Sequence, residues 1–269
     1  RIFFLYKNYL YSLIFNAMIY KEYQPNIALR PYIETYWVAS GYSGQLFSDK
    51  ILPDGCADII FSFGDKSEYN TLTPFQPNIV GTMTTYSEVF YHNHVSMLGI
   101  RFQPAGLTAF TKTPMNEFTD LRVDLNLTET IFDEEFYTKL PDLSLLTEKL
   151  QHIDSYLMKK LSCVFDVDKQ TIHAINLIRK TDGQLPLDKV ADSSCISLRQ
   201  LERKFKSAIG ITPKMFSRIT KLNHTIAYVR KNTEESIFST AVDCGYYDHS
   251  HLIKEFKRLT GEFPSHFSK

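Results

Sequence analysis

Apolar residues recur along this chain with two different periods, and the change from one to the other divides it. In the first part they form short runs at 32–39, 57–63 (ADIIFSF), 78–84 and 95–102, separated by Gly, Pro and Asn. Such runs bounded by turn residues predict strands. Most gaps between them are too short for crossover helices, so the expected arrangement is an antiparallel sheet or a small barrel. From Pro104 the spacing becomes three and four residues, over 105–111, 128–140 and 142–163, which predicts amphipathic helices forming an adaptor. A polar break over 166–169 then precedes a further helical region.

That last region repeats itself. Leu201, Phe205, Lys206, Gly210, Pro213 and Phe216 recur 51 residues later as Leu252, Phe256, Lys257, Gly261, Pro264 and Phe267. Six identities at one offset mark a duplicated unit. Each copy reads as a short helix, a turn and a second helix: 186–192, a turn at 193–196 and 198–207 with Ser197 as N-cap and Gly210 at the end, then 237–243, Gly245 and 249–258 with Asp248 and Gly261 in the matching roles. This is the helix-turn-helix plan, in which the second helix enters the major groove.

The second helices have two faces. Leu201 and Phe205 point inward, while Arg199, Glu202, Arg203 and Lys206 share an outward stripe; in the second copy that stripe is Ser250, Ile253, Lys254 and Lys257. Solvated faces of ordinary helices would look the same one at a time, but two copies in register favour a pair of recognition helices. Between them, residues 213–229 keep helical periodicity with Pro213 in the first turn, predicting a linker helix that holds the two readers about 34 Å apart, one turn of DNA.

With those residues in view, 166–269 resembles the DNA-binding domain of the AraC/XylS family of transcription regulators, and the segment CGYYDHSHLIKEFKRLTGEFPSHF carries most of the likeness. The resemblance implies base reading by Arg199, Glu202 and Arg203 in the first unit and by His249, Ser250, Ile253 and Lys254 in the second, with Lys206 and Lys257 on phosphates. Arg203 suits guanine, whose O6 and N7 accept a bidentate guanidinium; Glu202 suits either a cytosine amino group or a neighbouring Lys. His249 stands where the family often has Gln, and Ser194 where the first turn often has Gly. The runs YKEYQPNIALRPYIETYWV, ILPDGCADIIFSF and GIRFQPAGLTAF resemble the uncharacterised sensor-like domain found ahead of this module in many bacterial regulators.

Composition changes the picture in two places. The chain has zero net charge, which alone argues against nucleic acid, yet from Asp166 onward there are 17 Lys and Arg against 12 Asp and Glu, leaving an acidic remainder. Four cysteines without CxxC or zinc spacing point to a reducing cytoplasm rather than a disulfide framework. The apolar start of the chain carries Arg1, Lys7 and Asn8, which predicts neither a membrane span nor a signal peptide. Translation is expected to begin at Met18, with 1–17 an upstream extension.

Catalytic chemistry finds little support. His92 and His94 would share a strand face and could begin a metal site, or be edge histidines. Cys56 beside Asp54 and Asp58 is either a nucleophile lacking a partner or a small core residue next to a PDG turn. The Gly of QPAGL is weak evidence for an anion cradle. Tyr36, Trp37, Phe61, Phe63 and Phe102 line a ligand pocket or fill a core.

The expected fold class is thus α+β: a β-rich sensor-like domain over 18–110, a helical adaptor or dimerisation segment over 111–165, and an all-α double helix-turn-helix domain over 166–269. The expected function is sequence-specific DNA-binding regulation, with activation implied by the resemblance, no enzymatic activity, no cofactor and no metal. Double-stranded DNA is the expected partner, with RNA polymerase, a small-molecule effector and a second copy of the chain as further candidates and no membrane. The alternative is a regulator without a small-molecule ligand, whose N-terminal domain serves oligomerisation or contact with a protein partner.

Overall fold

The computed structural model describes residues 18–65, 77–125, 131–163, 167–232 and 236–268. The readings that fall on 1–17, on 128–130 and on Asp166 lie outside them. The fold is α+β, beginning with six strands: β1 (Ile19–Tyr23), β2 (Ile33–Ile51), β3 (Asp58–Ser62), β4 (Asn78–Val80), β5 (Ser87–Phe102) and β6 (Arg122–Asp124). They form one antiparallel sheet in the order β1-β2-β5-β3-β4-β6.

The apolar run in β3 has no alternation because both faces of the sheet are covered. Ile59 and Phe61 point to one side with Tyr36, Leu98, Ile100 and Phe102, under the helices α1 (Glu134–Asp142) and α2 (Leu146–Lys160). Ile60 points to the other with Trp37, Ala39, Tyr91 and Met97. The first side is closed by Phe132 and Phe136, stacked with ring centres 4.1 Å apart, and by Tyr36 Oη, which donates to Asp154 Oδ1 at 2.7 Å. Asp133 caps α1 by accepting from the Phe136 N–H at 3.0 Å.

Several boundaries differ from the expectation. Strands β2 and β5 are longer than the runs 32–39 and 95–102, because the polar segments beyond those runs pair with one another; their register shifts between Ser43 and Phe47, opposite the left-handed Asn93 (φ 60°). Strands β1 and β6 are additions to the expected set, being short and lacking apolar runs that would mark them in the sequence. The strand in the run 78–84 ends at Val80, although the Gly81 N–H still donates to Leu121 O at 3.0 Å and Thr82 O accepts from the Asp120 N–H at 3.2 Å; Gly81 lies so close to the Phe118 carbonyl that a Cβ would sit 1.9 Å from it. The segment 105–111 makes only a 3-10 turn, Gly106–Ala109, preceded by the left-handed Ala105 (φ 67°).

The second half is helical: α3 (Lys169–Lys180), α4 (Leu187–Ser193), α5 (Leu198–Ile209), α6 (Pro213–Lys231), α7 (Ile237–Asp243) and α8 (His249–Thr260). Helices α3, α4 and α5 and the start of α6 enclose one core around Leu201, Phe205, Phe216 and Ile219. The rest of α6 encloses another with α7 and α8, around Leu222, Ile226, Leu252 and Phe256. Among the described residues no helix is long and apolar enough to cross a membrane.

Candidate nucleic-acid interface

Two repeats of three helices build the interface. In the first, Ser197 starts α5 with a reciprocal box: its Oγ accepts from the Gln200 N–H at 3.2 Å, and Gln200 Oε1 accepts from the Ser197 N–H at 2.9 Å. In the second, Asp248 Oδ1 accepts from the His251 N–H at 2.7 Å. Both helices end on a left-handed glycine, Gly210 at φ 94° and Gly261 at φ 72°. Leu201, Phe205, Leu252 and Phe256 are fully buried, which fixes the rotation of α5 and α8.

The opposite faces are open. Arg199, Glu202, Arg203 and Lys206 on α5 are exposed, as are His249, Ser250, Lys254 and Lys257 on α8, whereas Ile253 is half-buried. The Lys257 ammonium lies over the Phe263 ring, 5.3 Å from its centre and within the reach of about 6 Å at which a cation is drawn to an aromatic face. All nine sequence-predicted positions therefore sit on the two second helices. Among the described residues, the exposed apolar side chains of the second unit include Phe238, Val242 and Tyr247, which the sequence pattern does not single out. Apolar character usually signals burial, so their exposure has no sequence signature.

The turns differ in a way the 51-residue offset hides. The short helices and their C-caps are related by 50 residues: α4 is Leu187–Ser193 and α7 is Ile237–Asp243. The turn of the second unit is thus one residue longer, and the partner of Gly245 (φ 72°) is Cys195 (φ 56°) rather than Ser194. In both, the next residue donates back into the helix: the Ile196 N–H to Ala191 O and the Tyr246 N–H to Ala241 O. An L residue at Cys195 costs strain that Gly does not, so Cys195→Gly is expected to raise stability by about 0.5–1 kcal/mol, read as a higher thermal midpoint. A lowered midpoint would show that the thiol side chain contributes more than the strain.

A framework ion pair recurs with its charges exchanged. Lys204 Nζ lies 2.9 Å from Asp168 Oδ1, the N-cap of α3, and Arg218 of α6 holds Glu255 of α8 through Nε at 2.6 Å and Nη2 at 2.8 Å. Glu255 follows Lys204 by 51 residues and Arg218 follows Asp168 by 50, so one repeat position anchors each recognition helix to the first helix of its unit. Burial works against the Asp168 charge, but hydrogen bonds from Thr171 and Lys204 hold its carboxyl below the usual range.

The sheet domain grips both units at the turn that ends the recognition helix. Thr82 Oγ1 donates to Ile209 O at 2.6 Å and Thr119 Oγ1 to Gly210 O at 2.7 Å. Thr85 Oγ1 donates to Arg258 O at 2.9 Å, Gly261 packs on the Tyr86 ring, and Lys50 pairs with Glu262. The PDG turn takes part too: Gly55 (φ 82°) lies where a Cβ would be 2.6 Å from the Phe216 ring.

The candidate chemical groups have structural explanations. Burial pushes the Cys56 thiol well up, and its Sγ donates to Glu34 Oε2 at 3.4 Å, neither of which makes a thiolate nucleophile. His92 and His94 flank Asn93 in its left-handed conformation, so strand alternation does not relate them; among the described residues no group of three His, Cys, Asp or Glu is placed to hold a metal. Of the five aromatics considered for a pocket, Tyr36, Phe61 and Phe102 are in the core under α1 and α2, with Phe63 packed against it, and Trp37 is on the other face. The alternation of strand side chains makes that division.

Near Trp37 a buried charge cluster matters for stability. Arg101 Nε lies 3.5 Å from Asp54 Oδ2 and 3.3 Å from Asp58 Oδ1, and Asp58 Oδ1 also accepts from Trp37 Nε1 at 3.3 Å. Burial pushes the Asp58 carboxyl from its ordinary 3.8 to about 6, outweighing the opposite pull of Arg101. An acid whose folded pKa exceeds its unfolded value adds stability below the unfolded pKa that is lost as pH rises through the folded one. Asp58→Asn, which keeps an acceptor for the indole, should therefore gain on the parent chain between about pH 4 and pH 7 in urea unfolding. An equal difference at both pH values would rule out that role for Asp58.

Comparison with known proteins agrees with this layout. A helix-turn-helix domain family matches residues 190–269, and a domain of unknown function (DUF6597) matches residues 21–124. The HTH-type transcriptional regulator MtrA of Neisseria gonorrhoeae is 31% identical over 103 residues, 38% of this chain and 34% of that protein. The HTH-type transcriptional activator RhaS of Escherichia coli O157:H7 (strain EC4115 / EHEC) is 34% identical over 74 residues, 26% of this chain and 25% of that protein. The chain thus spans only about a third or less of the length of these relatives. Wild-type ToxT of Vibrio cholerae strain SCE256 aligns over 91% of this chain and 96% of its own, at 12% identity and a TM-score of 0.45. The duplicated units and the family match over residues 190–269 identify the C-terminal part of the chain as a helix-turn-helix domain of AraC type.

Proposed function

We propose that the chain is a sequence-specific transcription regulator that reads two successive major-groove segments with α5 and α8. The observation that carries this reading is the pair of repeat-related helices, each locked by a buried Leu and Phe and each turning an exposed, basic stripe away from its core. Arg199, Glu202 and Arg203, with His249, Ser250, Ile253 and Lys254, read base edges, while Lys206 and Lys257 take phosphates. The helix α6 is 19 residues long, about 28 Å at 1.5 Å per residue, which suits a spacer between readers one DNA turn apart.

Regulation is activating, as in the relative whose name says so, and takes place in the cytoplasm without enzymatic chemistry; contact with RNA polymerase and pairing of two copies belong to the same reading. The grip of the sheet domain on both recognition-helix turns supports control of DNA binding by that domain. The test is selection of bound sequences from a random duplex pool by the full chain. Enrichment of an asymmetric site with two elements about one helical turn apart is expected. A folded chain that enriches nothing overturns the proposal.

A further inference from the structure

Between the sheet and the second helix-turn-helix unit lies a cavity of about 290 Å³, close to the lower end of the about 300–1,000 Å³ typical of ligand pockets. One wall is the face of the sheet that α1 and α2 leave uncovered: Trp37, Ala39, Ile60 and Met97. The other belongs to the DNA-binding half: Arg230 near the end of α6, Thr260 at the end of α8, and Glu262 and Phe267 after it.

The void follows from particular residues. Trp37 faces Gly99 across β2 and β5, and a Cβ on Gly99 would stand 2.0 Å from the indole Cε2. Glycine thus lets the indole lie down on the sheet instead of standing up into the space, and Ala39 beside it is equally short. The Trp37 Nε1–Asp58 hydrogen bond holds the ring there.

The charged groups in the wall cancel. Lys50 is paired with Glu262, and Arg101 with Asp58. The other two basic residues of the wall, Arg122 and Arg230, are matched in number by Asp49 and Glu88. A ligand bringing its own charge would unbalance this wall and lose its hydration on entry without a partner to offset the loss. An apolar body with an uncharged hydroxyl meets no such penalty and finds donors and acceptors at the rim.

The geometry points to this cavity as a binding site for a small, uncharged, mostly apolar molecule of about bicyclic size, bridging the sheet and the turn that ends α8. The cavity touches the Lys50–Glu262 contact, which belongs to the grip on the second unit, and reaches none of the residues that grip the first. Occupancy therefore sets the second recognition helix relative to the first. That consequence rests on the DNA-binding reading above; the site itself does not.

Three probes with one apolar body test the chemistry by calorimetry on the full chain: 1-naphthol, 1-naphthoate and 1-naphthylmethylammonium. Saturable 1-naphthol binding is expected, with both ions at least about tenfold weaker. An ion that binds as well as 1-naphthol, or no binding of 1-naphthol, overturns the assignment. Filling the void by Ala39→Phe should abolish 1-naphthol binding while the far-ultraviolet dichroism stays that of the parent; Ile60→Phe serves if the first variant fails to fold. A folded, filled variant that binds as before also overturns it.

Location is read by hydrogen exchange. Bound 1-naphthol should slow amides of 37–39 and of 260–267 together, and protection elsewhere alone would refute a bridging site. Saturating 1-naphthol should then change affinity for the selected duplex by about fivefold or more. No change would refute the regulatory consequence, whereas failure to bind any duplex with or without probe would count against the DNA-binding reading and leave the calorimetric result standing.

Discussion

Glu255→Ala lowers the stability of the chain by about 2–4 kcal/mol, and Arg218→Ala does the same, because each leaves a largely buried charge without its partner. The pair is bidentate and both side chains are mostly covered, 22% and 16% exposed. The double variant costs less than the sum, and a double-mutant cycle in urea unfolding measures the difference. Additive losses would show that the two residues act independently. Lys204→Ala, at the equivalent position of the first unit, costs about 0.5–1 kcal/mol, since its contact with Asp168 is single and more exposed. The contrast makes the second unit the more dependent on one polar anchor, and it is also the unit that lines the cavity.

Arg203→Ala weakens binding to the selected duplex by about 1–3 kcal/mol and relaxes preference at a single base pair, as loss of a bidentate base contact should. Lys257→Ala lowers affinity for every duplex alike and reduces the slope of log affinity against log salt by about one. The two measurements separate the roles assigned to the outward stripes. Arg203 is exposed and its removal leaves the core untouched, so the loss should appear with an unchanged thermal midpoint. Uniform weakening by Arg203→Ala would move that residue to the phosphate class, and an unchanged salt slope in Lys257→Ala would remove Lys257 from it.

Much of the DNA-binding half was legible because its determinants are local. Caps at Ser197 and Asp248, the terminal glycines Gly210 and Gly261, and Leu and Phe four residues apart each act within a few residues of their own position. Helix ends were underestimated by about two residues, as the last turns carry Ala208, Ile209, Leu259 and Thr260, which continue the pattern only once packed. The one-residue difference between the turns does not show in the identities of the repeat, which lie in and after the second helices.

In the sheet half the apolar runs identified β3 and the cores of β2 and β5, but not their length. The polar outer parts of β2 and β5 hold together by pairing with each other, and that pairing is between residues as distant as Ser40 and Ser96. The five aromatics looked alike in sequence; strand alternation and the position of α1 and α2 sent Tyr36, Phe61 and Phe102 to the core and left Trp37 facing a cavity. Gly99 and Ala39 gave no signal of their own.

The sequence by itself determined the two helix-turn-helix units, the inward and outward faces of their second helices and the antiparallel character of the sheet, because propensity, capping and periodicity are written within each segment. Tertiary structure decided how the halves meet. The threonines at 82, 85 and 119 that hold both recognition-helix turns, the exchanged ion pairs and the cavity over Trp37 all join residues far apart in the chain, and such contacts arise from packing, which no local pattern encodes.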